Sequence, residues 1–121
     1  MNDLQPKFLI NWRDGADDAE RATITLILAV TSSKSHETAI FVAAEASSLL
    51  LRGAAEAVQA PGYEPLAKLL SDFVANGGKV WLCPACVKAK DIDATQLIDG
   101  VEIAGAPRTM AYLADGATVL A

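Results

Sequence analysis

The sequence predicts an α/β domain: a single open, mostly parallel sheet with helices on both faces, layered as in flavodoxin-like folds. Three observations lead there. Short apolar runs alternate with stretches of helical periodicity, and turns rich in glycine, proline and aspartate separate them, the pattern of βαβ units. The chain of 121 residues has room for one core and is too short for two ordinary ones. Its composition, 52% hydrophobic and 21% charged, is that of a packed globular chain, not a disordered one.

The elements follow in order. Residues 1–21 read as an N-terminal arm or extension, with an apolar patch Phe8-Leu9-Ile10-Asn11-Trp12 and a turn signal at Asp14-Gly15. The domain proper is expected over residues 22–121. Ile24 to Val30 is β-branched and apolar on both faces, so it is expected to be a central strand. The polar Thr31–Ser35 stretch follows as a loop, and Thr38 to Leu51 as a small-residue helix closed by Arg52-Gly53. Ala54 to Ala60 alternates weakly and reads as a second strand. Pro65 opens a helix in which Leu66, Leu69, Leu70, Phe73 and Val74 share one face. Lys79-Val80-Trp81-Leu82 is a short buried strand. Residues 97–103 read as a turn into a strand, 106–113 as a helix with Pro107 at its start, and 117–121 as a closing strand.

The chain's two cysteines stand at Cys83 and Cys86, directly after the strand ending at Leu82. Pro84 suits the first position of a helix, which makes Cys83 its N-cap. Backbone N–H groups and the helix dipole there favour a thiolate. The carboxyl end of a parallel strand is also where reactive groups gather in such sheets. Cys83 is therefore the candidate nucleophile and Cys86 the candidate partner that resolves it as a disulfide. The same two sulfurs read blandly as small buried hydrophobes, since free cysteine is among the most buried residue types.

Taken together, three stretches resemble the DsrE/DsrF-like family of small sulfur-relay proteins. They are the Ile24–Val30 segment with the alanine-rich run to Leu51-Arg52-Gly53, the Gly77-Gly78-Lys79-Val80-Trp81-Leu82-Cys83-x-x-Cys86 segment, and the ending from Leu97-Ile98-Asp99-Gly100 to Val119-Leu120. The resemblance covers roughly residues 22–121. It implies a sulfurtransferase-like carrier that holds sulfane sulfur as a persulfide on Cys83 and passes it to a partner thiol. It also implies a homo-oligomer, a trimer or hexamer, and donor and acceptor proteins or small persulfides as partners. The sequence departs from the family in having Pro84 where many members have glycine, and Lys90-Asp91 where a basic residue and a glycine often stand.

Other chemistries find less support. The formal net charge is −5 with no run of Lys or Arg, which disfavours nucleic acid and anionic membrane surfaces. Neither a P-loop nor a dinucleotide-binding glycine motif is present, and no cofactor is expected. A zinc site needs about four ligands, and two cysteines with the distant His36 fall short, so no metal is expected. His36 reads as a solvated loop residue that could reach the Cys83 rim; Lys88, Lys90 and Arg108 read as solvated. The Met1–Phe8 stretch lacks a basic region followed by an apolar one, so no signal peptide and a cytoplasmic location are expected. Two alternatives stay open: a thiol-disulfide redox protein that uses both cysteines, and an oligomeric binding subunit without chemistry.

Overall fold

The computed structural model describes residues 6–121; the start of the arm, and with it most of the leader reading, lies outside the described residues. Five parallel strands form one sheet in the order β4-β3-β2-β1-β5. They are β1 (Lys7–Trp12), β2 (Glu37–Val42), β3 (Lys79–Leu82), β4 (Val101–Ile103) and β5 (Thr118–Val119). The helices are α1 (Ala19–Ser33), α2 (Leu66–Ala75), α3 (Pro84–Ala89) and α4 (Ala106–Ala114). The α/β class and the parallel sheet are as the sequence predicts.

Strand alternation divides the core. Ile10 and Trp12, Ile40 and Val42, and Val80 and Leu82 point to one face, where they pack with Leu26 and Ala29 of α1 and Leu66, Leu70 and Phe73 of α2. Leu9, Ala39 and Trp81 point to the other face, against Tyr112 of α4. Trp81 and Tyr112 meet edge to face with centroids 5.2 Å apart, the geometry that their ring quadrupoles favour.

The first half of the chain corrects the sequence reading. The Ile24–Val30 segment is the middle of helix α1, not a central strand. Its threonines donate back to the preceding turn: Thr23 Oγ1 to Ala19 O at 2.7 Å, Thr25 to Arg21 O at 3.0 Å and Thr31 to Ile27 O at 2.8 Å. Those bonds satisfy the hydroxyls without leaving the helix. Asp18 caps the helix by accepting from Arg21 N–H at 3.1 Å. Ala22, Leu26, Ala29 and Val30 are buried, whereas Ile24, Ile27 and Leu28 are exposed. An apolar outer face thus hid the helical period.

The central strands lie elsewhere. Phe8–Trp12, assigned to the arm, falls within β1, which pairs with β2 on one side and β5 on the other. Residues 7–21 therefore run through the sheet and into the cap of α1, and the division at residue 21 does not survive. The helix expected over Thr38–Leu51 is instead strand β2 followed by a 3-10 turn, Ala44–Leu50. Residues 54–60 hold a 3-10 turn, Ala55–Ala57, where a strand was expected; Ala, Glu and Gln lack the branched side chains that favour extended backbone.

From residue 65 on, sequence and structure agree. Pro65 stands at the N-cap of α2. The helix ends where Gly77 takes φ 87°, and Gly77 N–H and Gly78 N–H donate to Val74 O and Phe73 O at 3.0 Å each, a helix stop that needs the left-handed conformation.

Candidate functional site

Every strand of a parallel sheet delivers its following loop to the same rim. Here the loops after β1, β2, β3 and β4 meet at the carboxyl edge, and backbone bonds knit them together. Cys83 N–H donates to Val42 O at 2.9 Å, Ala43 N–H to Trp12 O at 3.0 Å and Ala104 N–H to Leu82 O at 3.1 Å. Gly15 lies so close to the β2 loop that a Cβ on it would fall 2.5 Å from Glu45 O. Both cysteines sit in this knot, unbridged and partly exposed.

Cys83 is the N-cap of α3, with φ −59° and ψ 119°, and Pro84 holds the first helical position. That placement is as expected. Its thiol, however, makes no capping bond to the helix. Helix α3 is only six residues long, too short to carry a large dipole.

The thiolate-favouring surroundings fall on Cys86 instead. Ala44 N–H donates to Cys86 Sγ at 3.3 Å, and it can do so because Ala44 has φ 55°, a left-handed conformation uncommon for a residue with a side chain. The thiol of Cys86 is held below its ordinary 9.0, first by that backbone N–H; burial, the next-largest influence, opposes it, and the Cys83 and Ser47 side chains and the Lys90 charge add smaller lowering effects. Hydrogen bonding to the charged form is the dominant cause. Lys90 lies under this site and bonds Glu45 Oε2 at 2.7 Å, which ties α3 to the β2 loop.

Asp91 answers one departure from the family pattern. It has φ 52°, so aspartate, which tolerates the left-handed region better than most residues, makes the turn at the position where glycine often stands.

The remaining candidates are placed differently from the sequence reading. His36 precedes β2 and lies at the amino edge of the sheet, opposite the cysteines, with its ring edge-on to Phe8 at 5.2 Å. Arg108 pairs with Glu102 at 2.7 Å and lies over Trp81, 5.7 Å from the ring centroid, so it serves the α4 face. Among the described residues, no group of three or more His, Cys, Asp or Glu side chains is placed to hold a metal. A cleft of about 470 Å³ lined by Arg52, Leu70, Val74, Ile98 and Asp99 shares no residue with the cysteine rim. No helix among the described residues is long and apolar enough to cross a membrane.

Ala44, Glu45 and Ser47 were not singled out by sequence reasoning. The signal was there: reading Thr38-Ala39-Ile40-Phe41-Val42 as a β run would have put residues 43–47 at the carboxyl end of a strand.

A family model described as DsrE/DsrF-like matches residues 7–121. The chain belongs to the DsrE/DsrF-like family. The match includes β1, in keeping with its place inside the sheet. Uncharacterized protein MJ0760 of Methanocaldococcus jannaschii is 33% identical over 107 residues, which is 88% of this chain and 38% of that protein's length. The chain thus spans well under half of that relative. Among solved structures, the YchN protein of Escherichia coli superposes with a TM-score of 0.77 at 25% identity, covering 95% of this chain and 97% of that one. A protein of unknown function from Methanobacterium thermoautotrophicum, MTH1491, gives a TM-score of 0.65 at 14% identity over 94% of this chain and 95% of that one. At that identity the likeness shows the fold alone.

Proposed function

We propose that the chain is a cytoplasmic sulfur carrier of the sulfurtransferase type: it accepts sulfane sulfur as a persulfide on the Cys83–Cys86 turn, carries it on Cys83 and yields it to a partner thiol. The observation that carries this reading is the Ala44 N–H aimed at Cys86 Sγ beside a second free sulfur. Attack on sulfane sulfur requires a thiolate, and this rim stabilises one where it is still open to solvent. Family membership supports the same reading.

We further propose that the protein works as a homo-oligomer. Ile24, Ile27 and Leu28 stand 38–43% exposed along one side of α1, and Leu120 is 42% exposed beside Leu28. An apolar face of this kind favours burial against another surface. A sedimentation mass equal to the monomer at micromolar concentration would count against it.

Intact-mass analysis after incubation with polysulfide tests the carrier. A gain of one sulfur atom, mapped to Cys83 and lost on reduction, is the expected result. Loss of two hydrogens with a Cys83–Cys86 link would favour a dithiol redox protein, a reading supported by two free thiols on one turn, at the N-cap of α3 and three residues on. No change with slow native alkylation would leave an assembly subunit.

A further inference from the structure

Ser47 is fully buried on the 3-10 turn behind Cys86. Its hydroxyl is a buried polar group without a hydrogen-bond partner in the structure. Such a group is costly to bury unless something completes it, on the order of 1–3 kcal/mol. The Ser47 side chain is among the groups that favour the Cys86 thiolate, so that sulfur is the partner its free hydroxyl can take. One donor bonds that sulfur, the strained Ala44 N–H from the β2 loop, and the Ser47 hydroxyl and the Cys83 thiol are further groups that favour its charged form. A neutral thiol is a weak acceptor that gains little from such donors, whereas an anion gains much more.

We infer that Cys86, rather than Cys83, is the sulfur of the pair that stands as the thiolate and makes the first attack, and that Ser47 is the positioning residue that holds it. On the carrier reading, on which this inference rests for its substrate, sulfur arrives at Cys86 and leaves from Cys83. In the first step Cys86 thiolate attacks the outer sulfur of a donor persulfide, R–S–SH. The donor S–S bond breaks, R–SH departs with the proton, and Cys86–S–S⁻ remains. In the second step the Cys83 proton passes to that outer sulfur and the Cys83 thiolate attacks it; the Cys86–sulfur bond breaks, the Cys86 thiolate is restored and Cys83–S–SH carries the sulfur. Neither step needs an oxidant or reductant.

The test is native-state alkylation across pH, with each cysteine read in its own peptide by mass spectrometry. Cys86 is expected to be modified first as pH rises. Ser47→Ala is expected to move the Cys86 profile to higher pH, and Ser47→Thr, which keeps the hydroxyl, to restore it. Modification of Cys83 first, or a Cys86 profile unmoved by Ser47→Ala, would overturn the inference. The first of these needs no variant, so it stands even if Ser47→Ala folds poorly. Sulfur loading is measured separately: Cys83→Ser protein should load on the order of ten-fold faster than Cys86→Ser near neutral pH, since the thiolate is the reacting species, and equal rates would count against Cys86 as the first acceptor. If neither variant nor native protein loads sulfur while the alkylation order and the Ser47 effect hold, the carrier reading fails and the thiolate assignment stands.

Discussion

The backbone N–H of Ala44 meets Cys86 Sγ at 3.3 Å across 42 residues of sequence, and the contact exists because Ala44 is held at φ 55°. A side chain in that region costs about 1–2 kcal/mol, so surrounding contacts must enforce it. The enforcement is visible on either side, where Ala43 N–H and Ala46 N–H donate to Trp12 O and Arg13 O at 3.0 and 3.2 Å. The strain therefore lies at the residue that faces the sulfur.

Two substitutions at Ala44 should separate strain from function. Ala44→Gly relieves the strain but frees the unfolded chain, effects of similar size, so stability should change by no more than about 1 kcal/mol. The N–H stays in place, and Cys86 alkylation should keep its profile. Ala44→Val cannot adopt the conformation comfortably and should lose on the order of 1–2 kcal/mol in urea unfolding, with the Cys86 profile moved to higher pH. Equal behaviour of the two variants would remove the backbone contact from the argument.

Stability should depend on pH through Cys86. Its folded pKa lies below the ordinary 9.0, so between those values the unfolded chain binds the proton more tightly than the native one. Stability then rises with pH across that window, is fully present above 9.0, and is lost as pH falls through the folded value. Urea unfolding of native and Cys86→Ser protein at a series of pH values gives the difference directly. It should grow toward alkaline pH; a flat or falling difference would contradict the assignment.

Helix α1 makes a different prediction about two neighbouring apolar residues. Leu26 is fully buried, while Ile24 is 43% exposed. Leu26→Ala should lose about 2–5 kcal/mol, and Ile24→Ala should stay within about 1 kcal/mol in the monomer. A central strand would bury both, so comparable losses in thermal unfolding would favour the strand that composition suggested.

That pair also marks where the sequence was legible. The second half of the fold could be read because each element has its own punctuation: Pro65 and Gly77 around α2, Pro84 after β3, Pro107 within α4. The first half lacked it. In α1 the β-branched content pointed to a strand, and apolar residues on the outer face erased the period that would have corrected it. The capping signal at Asp18, three residues before the N–H it accepts, was the overlooked clue. In β2, Ala39 and the Ala-Ala-Glu-Ala-Ser run that follows the strand mimicked a helix. The site divides in the same way. Cys83 and Cys86 were readable from spacing alone, but Ala44 and Ser47 reach Cys86 through tertiary contacts that begin with the position of β2.

The turn that leads into the cysteine strand tolerates little added volume. A Cβ on Gly78 would fall 2.3 Å from the Phe73 ring, and Phe73 is fully buried. Gly78→Ala should therefore destabilise by about 1–3 kcal/mol, the range for overpacking a core. Phe73→Leu in the same chain should return part of that loss in urea unfolding. Strict additivity of the two changes would mean that the ring is not what the methyl meets.

The charges around Cys86 give a prediction with two opposite signs. Lys90 favours the thiolate, and Glu45, bonded to the Lys90 ammonium at 2.7 Å, offsets part of that charge. Lys90→Gln should move the Cys86 alkylation profile to higher pH, and Glu45→Gln should move it to lower pH, because the lysine is then left to face the sulfur alone. Both shifts should shrink as salt is raised, since the pair is partly exposed and screened. The Ala44 N–H contact, a short-range hydrogen bond, should keep its effect in the same salt. Two substitutions that moved the profile in the same direction would point to a structural disturbance of the β2 loop, not to the field at the sulfur.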